Sequence, residues 1–131
     1  MVNFIIFILV YPIIWLLSIL PFRLLYIISD IMYFLIYYVV GYRKKVVLYN
    51  LKLAFPEKSN NEIETIRKKF YSHFVDVFIE MIKSFTVSKE AVYKRYKFAN
   101  FDFFTELYKD GKSVILVGSH YANWEWIMSL D

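Results

Sequence analysis

Residues 111–126 read GKSVILVGSHYANWEW, and the fold turns on how this stretch is read. Val114, Ile115, Leu116 and Val117 form a β-rich run bounded by Gly111 and Gly118, the pattern of a strand buried on both faces. Just upstream, Phe101, Phe104, Leu107 and Tyr108 suggest a short helix, with Gly111 suited to its C-terminal cap. Helix, buried strand and helix in succession are an α/β signal. In such folds ligands gather beyond the carboxyl ends of the strands, where Ser119, His120 and the residues after them lie.

A histidine and an acid five positions apart, His120 and Glu125, would sit about 140° apart around a continuous α-helix, given its 3.6-residue turn. They meet only if the chain bends between them. A strand ending at His120 and a helix opening near Asn123 supply that bend, because Asn is a favoured N-cap residue. Glu125 in the first turn also complements the helix dipole. Neutral imidazole is a base suited to taking a hydroxyl proton near neutral pH. A carboxylate on its other ring nitrogen fixes the tautomer and stabilises the imidazolium as it forms. The spacing alone equally fits a bland arrangement, with His120 satisfied in a core and Glu125 merely favouring a helix start. Context favours the dyad: a strand end, flanking aromatics Tyr121, Trp124 and Trp126, and the apolar front of the chain.

That front sets the composition apart. Apolar residues make up 59% of the chain, against roughly 45–50% in soluble domains, so a membrane is the first partner to consider. Residues 4–20, FIIFILVYPIIWLLSIL, form an uncharged run at the short end of the roughly 17–25 residues a spanning helix needs. Pro12 would kink such a helix, although membrane helices tolerate proline. A cleaved signal peptide is disfavoured, since Met1 to Asn3 has no Lys or Arg. A second apolar run, Leu24 to Val40, is broken by Ser29 and Asp30, and a mid-bilayer Asp costs about 2.5–3.5 kcal/mol. This run reads as a helix lying at the interface or packed on the body, with Tyr26, Tyr33, Tyr37 and Tyr38 at headgroup depth. Arg43, Lys44, Lys45 and Lys52 follow, and the positive-inside rule places them, and the body after them, on the cytoplasmic side.

The net charge of +4 suits an anionic membrane surface, and no nucleic-acid-binding motif accompanies it. With no cysteine there is neither a disulfide framework nor a thiolate metal site. In the body, Val47, Leu51 and Ala54 predict a helix over 42–55 that Pro56 ends. Ser59 followed by Glu62 is a capping-box signature. The helix it opens carries Ile63, Ile66, Phe70, Phe74, Val77, Phe78, Met81 and Phe85 at three- and four-residue spacing, which reads as one long buried stripe. His73, Asp76 and Glu80 share a side of it, more suited to a hydrogen-bonded set than to a metal. Val92 to Phe98 has weak strand character.

Taken together, GKSVILVGSHYANWEW and the upstream RKKVVLYNLKLAFPE resemble the lysophospholipid acyltransferase superfamily, in particular its bacterial lipid A late-acyltransferase branch, whose signature is His, four residues, then Asp or Glu. The resemblance implies an α/β, glycerolipid acyltransferase-like fold behind an N-terminal transmembrane helix. It implies His120 as general base and Glu125 as its partner, with no cofactor and no metal. The donor it implies is an acyl thioester on acyl carrier protein; the acceptor is a hydroxyl of a lipid A precursor or related lipid. The expected place is the cytoplasmic side of the inner membrane. The expected organisation is a transmembrane anchor over 1–22, an interfacial or body-packed apolar helix over 23–41, and the N-terminal part of an acyltransferase domain over 42–131. Members of the family are longer, so the sequence is expected to be a fragment, mostly helical and inactive alone. The alternatives are a glycerolipid or aminolipid acceptor, or a non-catalytic membrane-anchored module.

Overall fold

The computed structural model describes residues 2–97, 101–111, 113, 115, 117, 119, 122–124 and 126. The chain is mostly helical and divides into two compact units, Met1–Thr86 and Val87–Asp131. The first holds α1 (Val2–Ile19), α2 (Phe22–Phe34) with a π-helical turn continuing it (Leu35–Val40), α3 (Lys44–Ala54) and α4 (Asn60–Lys83). The second holds α5 (Lys89–Arg95) and α6 (Phe101–Lys109).

Hydrophobicity runs around nearly the whole of α1, which continues through Pro12. Its flank from Phe4 to Leu16 is exposed at almost every described position. Among the described residues, the helix both long and apolar enough to cross a membrane is Phe22–Val40; Ile6–Ile19 is a shorter apolar stretch.

Pro21 begins α2 by fixing an extended φ of −63°. The buried face of α2 packs on α4, where Leu25, Val75 and Ile79 form a core flanked by Leu20, Ile28, Tyr33, Ile36 and Phe74. Burying each of the three central side chains stabilises by about 1.5–3 kcal/mol. Polar ties run beside that core. Tyr26 donates to Glu80 (2.6 Å), Ser29 to Asp76 (2.6 Å), and Tyr37 to Glu64. Numbers rise along one helix as they fall along the other, so α2 and α4 are antiparallel. Tyr26 and Tyr37 therefore face α4, as the body-packed reading of this helix expects, and Tyr38 is exposed.

Gly41 ends the π-helical turn in the left-handed region (φ 65°), its N–H donating to the Ile36 carbonyl. An added Cβ there has room, so the objection to any other residue is the backbone angle alone, worth roughly 1–2 kcal/mol. Ser59 and Glu62 form the expected capping box: the Ser59 side chain accepts from the Glu62 amide and Glu62 accepts from the Ser59 amide at 2.9 Å. That amide, with the Ser59 hydroxyl, holds the Glu62 carboxyl below its usual range.

Two expectations are corrected here. The buried row of α4 is Ile63, Tyr71, Val75, Ile79 and Lys83, whereas Phe70, Phe78 and Phe85 are exposed. The buried row lies one residue, about 100°, from the phenylalanines. Asp76, Glu80 and Glu64 flank that row, and the hydroxyls of α2 need them as acceptors. Val92 to Arg95 is helix and not strand, because Ser88 caps α5, accepting from the Ala91 amide at 3.3 Å; Tyr96 is extended and Phe98 lies outside the described residues.

Candidate active site

His120 and Glu125 lie outside the described residues, so the structure assigns no distance to the pair. What it describes is the chain around them. Ser119 is in no regular element. Ala122 adopts φ 52°, a left-handed conformation uncommon for a residue with a Cβ. Beyond it, the Asn123 carbonyl accepts from the Trp126 amide at 3.4 Å in a short helical turn, and Trp126 is 4% exposed. Continuous α-helix cannot pass through Ala122 at that angle.

Burial of the β-rich run is not met at Ile115 and Val117, whereas Val114 and Leu116 lie outside the described residues. Ile115 and Val117 are each 88% exposed, and no strand occurs among the described residues. A β-rich run gains strand structure only from neighbours that take up its backbone donors and acceptors. Gly111 does end α6 as expected, at φ 65° with its N–H donating to the Tyr108 carbonyl.

On α4, Asp76 and Glu80 are taken up by Ser29 and Tyr26, while His73 is exposed. No group of residues suited to a metal occurs among those described. Glu64 accepts from Tyr37 and pairs with Arg67, and these two bonds hold its carboxyl below the usual range. Burial pushes the Tyr71 phenol up, and that phenol donates to the Tyr42 carbonyl.

Sequence reasoning missed Lys83. Its ammonium is buried at the end of α1 and donates to the carbonyls of Ser18 (2.7 Å) and Leu20 (3.0 Å), while Thr86 donates to the same Ser18 carbonyl. Burial lowers its pKa. The signal was its register, four residues beyond Ile79 and eight beyond Val75. A cleft of about 300 Å³ opens between α3 and α4, lined by Tyr42, Arg43, Val46, Val47, Asn50, Phe70, Tyr71 and Phe74. Its described lining is apolar and aromatic, with Arg43, Asn50 and the two tyrosines as its polar groups.

A family model described as bacterial lipid A biosynthesis acyltransferase matches residues 1–130. The chain belongs to that family. No curated protein and no solved structure gave a match. The lipid A acyltransferase match takes in the helical front, both compact units and the block around Ala122, so the elements above are one family sequence. It makes the chain an acyltransferase of the lipid A type by family.

Proposed function

We propose that this protein moves a fatty acyl chain from acyl-acyl carrier protein to a hydroxyl of a lipid A precursor, at the cytoplasmic face of the inner membrane. The family match carries this reading. His120 takes the acceptor's hydroxyl proton as its oxygen attacks the thioester carbonyl carbon. The tetrahedral adduct collapses, the C–S bond breaks, and the proton passes from imidazolium to the departing sulfur, leaving an ester and a free thiol. Glu125 orients the imidazole and stabilises its charged form. The left-handed backbone at Ala122 supports this pairing, because strained residues gather at functional sites and a bend is what the five-residue spacing needs.

The same proposal assigns 1–22 as the anchor, 23–41 as the body-packed apolar helix and 42–131 as part of the acyltransferase domain. The exposed flank of α1 and the rungs that tie α2 to α4 support that division. An α/β class rests on the β-rich run around Ile115 and Val117, both of which are exposed and open to a covering layer.

The test is mass spectrometry of lipid A from a strain lacking the gene, with and without complementation. Loss of one acyl chain, restored by the natural gene and not by His120→Ala, is the expected result. An unchanged glycolipid profile with an altered phospholipid profile would move the acceptor to a glycerolipid and overturn the proposal.

A further inference from the structure

We infer that α3 is a second membrane contact, an in-plane helix that seats its outer face in a leaflet of anionic phospholipid. Val46, Tyr49 and Leu53 fall at i, i+3 and i+7, within about 60° of one another on a helix. Tyr49 and Leu53 are 65% and 64% exposed and Val46, at the rim of the cleft towards α4, is 45% exposed, while no residue of α3 is buried. Exposed apolar residues also precede it in the chain, at Tyr38, Val39, Val40 and Tyr42.

Charge decides what covers this face. Between Asp30 and Glu57 the chain has no acid, yet it places Arg43, Lys44, Lys45 and Lys52 there. Lys44 is engaged with the Tyr37 ring at 3.8 Å, whereas Arg43, Lys45 and Lys52 make no ion pair among the described residues. Lys45 and Lys52 lie seven residues apart, so they line one edge of the apolar stripe together. Long cationic stems beside an apolar face can lie along it while their heads reach phosphate. The first turn of α3 is also free of acids, so the positive end of its dipole adds to the same sign.

A protein partner fits less well. Eleven residues at about 1.5 Å each make a helix some 16 Å long and roughly 10 Å wide, far short of the ~800 Å² per partner of a stable interface. A leaflet needs no matching surface.

The inference shares the membrane attachment proposed above but not its chemistry, and one experiment separates the two. The chain has no cysteine, so single-cysteine labels are clean. An environment-sensitive fluorophore at Tyr49→Cys or Leu53→Cys reports α3, and one at Ile27→Cys, on the exposed face of α2, reports attachment. With the whole chain reconstituted in phosphatidylglycerol-containing vesicles, labels at 49 and 53 should shift to the blue and be quenched by acyl-chain quenchers. Neutral phosphatidylcholine vesicles, 1 M salt, or the exposed-site double variant Lys45→Glu/Lys52→Glu should each reduce that quenching at least several-fold. Quenching at 27 should persist throughout. A label at 49 that stays open to aqueous quencher while 27 is lipid-buried overturns the inference and leaves attachment standing. Quenching at 49 that ignores lipid charge, or self-quenching between labels on two copies, overturns it as well.

Discussion

Replacing Lys83 with Met keeps the aliphatic stem and removes the ammonium that closes the end of α1. Two bonds are lost, to Ser18 O and Leu20 O, at 2.7 and 3.0 Å. Bonds to charged groups contribute roughly 1.5–3 kcal/mol each, and an orphaned carbonyl costs about 1–3 kcal/mol. The losses are not borne equally. Ser18 O retains the Thr86 hydroxyl, whereas Leu20 O keeps no other donor among the described residues. Against this, Met relieves the desolvation that lowers the Lys83 pKa. The net loss should be about 1–3 kcal/mol, close to the cost of one orphaned carbonyl. Adding Thr86→Val should cost more than Thr86→Val alone, since the two side chains share one acceptor.

Titration gives this prediction its sign. With the folded pKa below the ordinary lysine value, the unfolded chain binds more protons between the two, so this group's contribution to stability rises with pH across that window. Urea unfolding of the detergent-solubilised protein, followed by circular dichroism from pH 7 to 10, measures both effects. Wild type should exceed Lys83→Met throughout, and by a widening margin as pH rises. Equal or greater stability of Lys83→Met at pH 7, or a margin that narrows towards pH 10, would refute the reasoning.

Three further outcomes are expected. Asp76→Ala strands the buried Ser29 hydroxyl and should destabilise by about 1–3 kcal/mol, while a cycle with Ser29→Ala recovers part of it; additive losses would show that the 2.6 Å bond carries no coupling. Ala122→Gly relieves left-handed strain and should raise the unfolding midpoint by an amount equivalent to roughly 1 kcal/mol; a lower midpoint would contradict the φ of 52°. His120→Ala should lower turnover by about 10²–10⁴-fold in a folded protein. Trp126→Phe, at a site 4% exposed, should instead shift stability more than turnover.

Local structure is legible in the chain where one or two residues decide the outcome. Ser59 and Glu62 specify the start of α4 through their own side chains, Pro56 closes the preceding segment, and Gly111 supplies a left-handed cap. The burial of α4 was not legible in the same way. Phe70, Phe74 and Phe78 are the more apolar row, but α2 presents hydroxyls from Tyr26, Ser29 and Tyr37 that need carboxylate acceptors, so helix docking follows Glu80, Asp76 and Glu64. Periodicity scores a helix by itself and does not see what its neighbour must hydrogen-bond. Val92 and Tyr93 looked strand-like for their side-chain shapes, yet the Ser88 cap four residues earlier decides for helix. At the candidate site, the need for a turn between His120 and Glu125 followed from helix geometry. That Ala122, and not a glycine, takes the left-handed angle did not.

The rungs between α2 and α4 are chemically lopsided: every donor on the apolar helix is a neutral hydroxyl, and every acceptor on the amphipathic helix is a carboxylate. A hydroxyl is cheap to carry into a greasy environment by comparison with a charge. Parting the two helices would therefore leave unpaired hydroxyls on α2 and unpaired carboxylates on α4, so the larger cost of an open state falls on α4 unless water reaches it.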